Sequence, residues 1–408
     1  MAKSDTDSGV AIKTVVILLR LVVGAAFVFS GFTKGIDPWG TVYKLEEYLR
    51  LWGFDGYTSL ITFCAFAIAI AESIIGISLL LGIYRRVSVW VATLAMAILL
   101  PLTIYTAVTG AVYDCGCFGD AIHLQPWATV WKNVVLFACI VALVVLNRRA
   151  KGLFPFAAQW IVVTLTGIYI LALALAGYYY QPLIDWRPYP VGTSLVSDNG
   201  IDDTDDDMLF IYQKDGVRSQ FSLDSLPDEG EGWEFVERIV VSNHQSSVAE
   251  ESASLGLADG VILAEGRQLL LTFPDLPAVS IKYTYLINEI VDRCRDAGVE
   301  VTGLTSASDA QVDEWRDLSM ASYQIIRISD TQLKMLARGN PAVVTLEDSR
   351  IIDKRSLSSI SMAEVSNGRV LDNYETVQDI GLWPVYMTAA YLAALLLLWA
   401  FGFLVIRL

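Results

Sequence analysis

The chain has 408 residues, of which 54% are hydrophobic and only 18% charged, with a formal charge of −15. A soluble globular chain carries nearer a quarter charged residues, which argues against a purely cytosolic protein. The acidity excludes a basic nucleic-acid binder.

The charge is unevenly spread. Residues 181–382 hold 35 Asp and Glu against 16 Lys and Arg, whereas the remainder is apolar and mildly basic. Six apolar runs, at about 14–33, 59–83, 88–108, 128–146, 154–178 and 384–406, are each near the ~20 residues needed to cross hydrocarbon. Lys3 and Lys13 precede the first. Arg85 and Arg86 separate the second and third, Arg148, Arg149 and Lys151 the fourth and fifth, and Arg407 nearly ends the chain. With six spans these basic flanks share one side, so both termini are expected in the cytoplasm of a bacterial inner membrane. Loops 34–58 and 110–127 and the acidic region then face the periplasm. Asp5, Asp7 and Arg20 argue against a cleaved signal peptide.

Charged residues inside spans need a partner or a task. Arg20 and Glu72 have similar expected depths in antiparallel neighbours, which predicts an ion pair. A proton relay or a quinone headgroup contact is the sharper alternative. Gly24 and Gly31, seven residues apart, predict close helix approach, and Pro101 predicts a kink in the third span. Cys64 and Cys139 lie within spans, where buried thiols act as small hydrophobes.

The segment with most chemistry is Asp114-Cys115-Gly116-Cys117-Phe118-Gly119-Asp120, on the outward loop after the third span. An oxidising compartment permits a disulfide there. Extended, two cysteines at i and i+2 stand too far apart for easy bonding, and a tight turn at Gly116 can close the gap. Such a small ring is of the labile kind that serves catalysis. Asp114 and Asp120 disfavour thiolates, while His123 and Lys132 favour them. Three readings fit: redox-active thiols, a metal site from Cys115, Cys117, His123 and a carboxylate, or a structural loop. Cys-x-Cys is not the usual zinc spacing, and no metal ligand is assigned.

The first span reads Arg20-x3-Gly24-x2-Phe27-x2-Ser30-Gly31-x2-Lys34 and the second Glu72-x3-Gly76-x5-Gly82. With the Cys-Gly-Cys-Phe-Gly-Asp loop, residues 14–150 resemble the DoxX/MauE group of redox-associated four-helix membrane proteins. The resemblance implies thiol–disulfide chemistry outside the membrane, beside thioredoxin-like partners and in some relatives linked to quinones. It implies roles for Cys115 and Cys117, and candidate roles for Arg20, Lys34 and Glu72.

After the acidic linker 202–207, residues 208–223 alternate apolar and polar around Asp215-Gly216, a hairpin signal. Strands are expected at 235–241, 267–273, 299–304, 323–328, 342–347 and 350–354, with helices at 279–297, 309–319 and 331–338. Alternating strands and helices predict an α/β layer structure. Asn340-Pro341 before a strand pair is similar to the cis-proline loop of thioredoxin-like domains, in the membrane-tethered form fused to DoxX-like bundles of the Bacteroidetes type. That resemblance covers about 230–360. It departs where the active-site dithiol belongs: the chain has Phe273-Pro274-Asp275-Leu276-Pro277 there, and Cys294 lies on a buried stripe further on.

The expected architecture is therefore a helical membrane protein: a DoxX-like four-helix bundle (1–150), a fifth span (151–180), a periplasmic region with linker, hairpin and thioredoxin-like domain lacking its dithiol (181–382), and a sixth span (383–408). The expected function is an inner-membrane thiol–disulfide redox protein. It would exchange electrons between Cys115/Cys117 and a periplasmic partner, with quinone as candidate cofactor. The alternative is a non-catalytic assembly or maturation factor whose soluble domain grips a periplasmic client.

Overall fold

The computed structural model describes residues 2–54, 58–110, 112, 116–146, 151–195, 207–214, 217–222, 233–241, 261–368 and 375–407. Asp114, Cys115, the linker 202–206 and the hairpin turn Asp215-Gly216 lie outside the described residues. The chain divides into two compact units, one of residues 1–177 with 382–408 and the other of residues 178–381.

The first unit is built from long apolar helices: α1 (Ala2–Ile36), α3 (Thr58–Leu81), α4 (Arg85–Thr109), α5 (Pro126–Leu146), α6 (Phe156–Tyr179) and α11 (Glu375–Arg407). All six contain a stretch long and apolar enough to cross a membrane. The chain is a multi-pass membrane protein. α1, α3, α4 and α5 share one core that includes Val23, Phe27, Leu79, Met96 and Ile140. α6 and α11 meet through Tyr169 and Tyr391, whose rings stack at 4.5 Å. Pro101 lies inside α4, and the helix continues past it to Thr109.

Loop 34–58 is not simply a loop. Helix α2 (Pro38–Leu51) occupies it, with Asp37 as N-cap accepting from the Gly40 amide at 2.9 Å and proline at the helix start. Aspartate at the cap and proline in the first turn are favoured there because the first amides have no intrahelical acceptor. Pro38, Trp39, Val42 and Tyr48 bury its inner face.

The second unit carries two sheets. β1 (Asp207–Lys214), β2 (Val217–Ser222) and β3 (Glu234–Val241) form an antiparallel sheet of order β2-β1-β3. Strand 235–241, expected within the α/β layer, thus joins the hairpin instead. β4 (Arg267–Phe273), β5 (Glu300–Thr305), β6 (Gln324–Arg327), β7 (Ala342–Glu347) and β8 (Arg350–Ser356) form the larger sheet, of order β6-β5-β4-β7-β8. β4, β5 and β6 run parallel, while β7 and β8 return antiparallel.

Strand alternation divides the side chains between two cores. Leu269, Leu271, Phe273 and Val343 face α7 (Thr284–Asp296) and α8 (Asp309–Ser319). Leu270, Ala342, Val344 and Leu346 face α9 (Asp330–Leu336) together with Tyr189 and Leu195. Capping boxes at Ser308/Gln311 and Ser329/Gln332 fix the starts of α8 and α9. A third, at Ser361/Glu364, opens the short α10 (Met362–Ser366).

The segment before Tyr189 is tied to this sheet by buried charge. Asp185 takes a fork from Arg187 at 2.7 and 2.9 Å and a bond from Lys354 at 3.1 Å. Lys354 also donates to the Tyr189 carbonyl. Burial pushes the Asp185 carboxyl up, but the Arg187 and Lys354 charges outweigh it and hold the group at about 2. Burial, reinforced by Arg187, brings Lys354 down to about 7.

Candidate functional site

The site begins with how closely α1 and α3 approach. A Cβ on Gly31 would lie 2.6 Å from the Ser73 amide nitrogen, and one on Gly76 would lie 2.5 Å from the Val28 nitrogen. Backbone against backbone leaves no room for a side chain, so these glycines set the antiparallel register. The expected close approach at Gly24 and Gly31 is found. A Cβ on Gly24 would lie 3.0 Å from the Gly76 carbonyl.

That register decides the partner of Glu72. Its carboxylate meets Lys34, Nζ to Oε2 2.7 Å, with the two side chains 9% and 17% exposed. The expected Arg20–Glu72 pair is therefore corrected. Arg20 donates to the Lys151 carbonyl at 3.3 Å, and its guanidinium lies where a Cβ on Gly82 would be, 2.8 Å away. Gly82 is ten residues beyond Glu72. At 1.5 Å per residue, that is about 15 Å along the helix direction, beyond an arginine's reach.

Lys34 does more than neutralise Glu72. Its ammonium also donates to Ser30 Oγ at 2.7 Å and to the Cys117 carbonyl at 3.0 Å. Three N–H donors thus have three acceptors, the full capacity of the group. Ser30 sits one turn before Lys34 on the same helical face and itself donates to the Cys117 carbonyl at 2.5 Å. A cation, a carboxylate and a hydroxyl from two membrane helices converge on the backbone of the cysteine loop.

Cys117 is disulfide-bonded and buried, whereas Cys64, Cys139 and Cys294 are free thiols. The backbone at Gly116 has φ +67°, the left-handed turn that glycine tolerates. Lys44 of α2 packs over Gly116, its Cγ 3.0 Å from where a Cβ would stand. Phe118 meets Phe29 edge-on at 5.3 Å and lies 4.0 Å beneath the Lys132 ammonium. Gly119 and Asp120 form a 3-10 turn with Ala121, Gly119 lying near Thr33. His123 is exposed in the stretch that follows.

The structure thus gathers Lys34, Glu72, Gly116, Cys117 and Gly119, and sets Arg20 apart. Sequence reasoning assigned no role to Ser30, Lys44 or Phe118. The four-residue spacing of Ser30 and Lys34 was the available signal for the first.

In the second unit, Asn340–Pro341 is cis, as expected for Pro341. Asn340 clamps the turn after β4: its amide donates to the Asp275 carbonyl at 2.6 Å and its carbonyl accepts from the Asp275 amide at 3.3 Å. Cys294 is fully buried, and burial pushes its thiol up to about 12.

Residues 12–146 match the family model of methylamine utilisation protein MauE. The match covers the four helices that share a core, α2 and the cysteine loop, and it bears out the MauE side of the resemblance. Residues 207–241, the three-stranded sheet, match a model described as a domain of unknown function, DUF8463. Over 217 residues the chain is 26% identical to Protein TlpB of Flavobacterium psychrophilum, an alignment covering 51% of this chain and 55% of that protein. The chain therefore spans about half the length of this curated relative. No solved structure matches the chain.

Proposed function

We propose that this is an inner-membrane protein of thiol–disulfide exchange, in which Cys115 and Cys117 pair with one another and trade electrons with a periplasmic partner. The observation that carries the reading is the disulfide state of Cys117 together with the Lys34–Ser30 grip on its carbonyl. A redox loop must hold its geometry while its bond breaks and re-forms. Here the backbone is anchored by groups that do not take part in the exchange. On reduction, the neighbouring Lys34 cation favours a thiolate, the nucleophilic form. Asp114, Asp120 and His123 would tune that charge from the loop.

The basic flanks Arg85, Arg86 and Lys151 support cytoplasmic termini and a periplasmic cysteine loop. The MauE match over residues 12–146 supports the membrane part of the assignment and its DoxX-like reading as a four-helix bundle. The strand order β6-β5-β4-β7-β8 and the cis-proline before β7 support a thioredoxin-like second domain. Cys294 cannot act there, because its thiol is buried and held protonated. That domain would bind the partner rather than exchange electrons with it. The clamped, cysteine-free turn at Asp275 also favours a second reading, a non-catalytic maturation factor gripping a periplasmic client.

The test is an alkylation gel-shift of the purified full chain across a glutathione redox series, in wild type and in Cys115→Ser and Cys117→Ser. Reversible masking of two thiols in wild type, and a trapped mixed disulfide in one single variant, is the expected result. Thiols that stay unchanged across the series, with full function in the double variant, would overturn the redox reading and favour the maturation factor.

A further inference from the structure

The membrane unit encloses a cavity that the cysteine chemistry leaves unused. It lies between α1, α3, α6 and α11 and has a volume of about 150 Å³. Close packing on either side keeps it open. Toward one end of α6, Gly177 sits on the Ile36 carbonyl of α1, with no room for a Cβ. Toward the other, Val162 joins Ile83 and Phe154 in a cluster that takes in Leu395 and Leu398 of α11. The turns of α6 between these contacts, at Thr166 and Ile170, face the gap. α6 cannot settle further onto the core without its backbone running into α1 at Gly177.

The wall is hydrocarbon although four hydroxyl residues belong to it. Thr166 gives its hydrogen to the Val162 carbonyl at 2.8 Å, and Thr388 gives its own to the Pro384 carbonyl at 2.6 Å. Tyr391 and Tyr169 therefore donate to those two threonines, at 2.8 and 2.7 Å. All of these hydrogens are spent within the protein. Ser73 turns its hydroxyl toward Gly31, into the α1–α3 contact and away from the gap. Among the described residues that line the cavity, none presents a free donor to it. A ligand that brings oxygen would lose its hydrogen bonds on entry, and water is excluded on the same ground.

The opening says where an apolar ligand comes from. Leu392 lines the cavity and is also 51% exposed, on the side of α11 that carries Leu396. On a spanning helix that side meets lipid. Leu392 stands midway along the apolar stretch Leu382–Phe401, a depth occupied by the middle of lipid tails rather than by headgroups. A dry space of this size holds about six carbon atoms. That is a segment of a long chain, and the remainder must lie beyond the mouth, among the surrounding tails.

We propose that this cavity binds one acyl chain of a bilayer phospholipid, which enters past Leu392 and packs between Ile77 of α3 and Ile170 of α6. The core shared by α1, α3, α4 and α5 includes no residue of α6 or α11. The chain would complete the packing of that helix pair against the core, midway between the Gly177 and Val162 contacts. The headgroup stays at the membrane surface, so the chain and not the head is recognised.

The test places the full chain in nanodiscs containing a phosphatidylcholine with a diazirine at mid-chain, followed by photolysis and peptide mass mapping. Ile170, 2% exposed, is shielded from the outer surface, whereas Leu397, 72% exposed, meets the surrounding lipid in any case. Labelling of Ile170 and Tyr169 together with Leu397 is the expected result. A phosphatidylglycerol bearing the same chain should give the same pattern. Ile77→Phe fills the space, and Leu392→Trp narrows the mouth from a lipid-facing position where the core is untouched. Each should lose the inner labels and keep the one at Leu397. Labels confined to outward residues in wild type would overturn the proposal, as would inner labels that persist in both variants. A small molecule that co-purifies with the chain and blocks the inner labels would overturn it in favour of another occupant.

Discussion

The Lys34–Glu72 pair offers the sharpest test of how the site is built. Lys34→Met keeps the length and apolar stem of the side chain but deletes the ammonium. Three hydrogen bonds vanish together, to Ser30, Glu72 and Cys117. Most of the cost comes from the carboxylate left behind, since Glu72 is 17% exposed and has lost its cation. Breaking a buried pair from one side costs about 3–5 kcal/mol. Glu72→Met leaves the ammonium with two neutral acceptors, so its cost should fall at the low end of that range.

The double variant Lys34→Met/Glu72→Met has no stranded charge. Replacing both members of a buried pair by apolar groups is often near neutral, so the double should cost much less than the sum of the singles. The full chain in detergent, unfolded by denaturant and followed by fluorescence, gives the three values. A control cycle on Arg20→Ala and Glu72→Ala should be additive within about 0.5 kcal/mol, because sites well separated in space rarely couple. Additivity in the Lys34 cycle, or strong coupling in the Arg20 cycle, would refute the register on which the site rests.

Other consequences are simpler to check. Gly31→Ala should destabilise by ~3 kcal/mol or more, because its Cβ meets the backbone at Ser73 and Ala69, whereas Gly167→Ala, whose nearest neighbour is 3.8 Å away, should be tolerated in the same melt. Asp185 has its folded pKa lowered from 3.8 to about 2, so it should contribute about 2 kcal/mol above pH 4 that is lost as the pH falls to 2. Asp185→Asn should flatten that limb of the stability–pH curve. Lys354, lowered to about 7, is neutral in the folded state and protonated in the unfolded one between pH 7 and 10. Stability should therefore rise with pH across that window, and Lys354→Met should remove the rise.

Much of the frame was legible because its signals are local. Apolar runs of spanning length mark the six helices, and strand and helix periods place β4, α8 and β7 to the residue. α2 escaped because a fourteen-residue amphipathic helix between spans resembles a polar loop. Its Asp37-Pro38 start was the clue. The partner of Glu72 escaped for a different reason. Depth counted from the ends of apolar runs ignores that α1 is helical from Ala2, well before its apolar stretch. The true register comes from glycine backbones meeting across the interface, a tertiary property. The Asp185–Arg187–Lys354 cluster was invisible because Asp185 and Lys354 stand 169 residues apart and Arg187 lies in what reads as a proline-rich linker.

The separation of thiols explains why chemistry would concentrate in one loop. Cys64 and Cys139 are carried by α3 and α5, within membrane-spanning helices. Cys294 is buried between sheet and helix and held protonated at neutral pH. A thiol that cannot ionise neither attacks a disulfide nor is readily oxidised. The loop after α4 differs in the charge beside it, since the Lys34 ammonium reaches the Cys117 carbonyl. Its glycine turn brings the chain back toward the bundle, and Lys34 supplies positive charge at the cysteine backbone without leaving its own carboxylate unpaired. Glu72 balances that cation inside the membrane unit, Ser30 shares its load, and the exposed His123 marks a side open to solvent. Lys34 and Ser30 grip the carbonyl of Cys117, so on the redox reading proposed above stability and reactivity would fall to different atoms of the same residue.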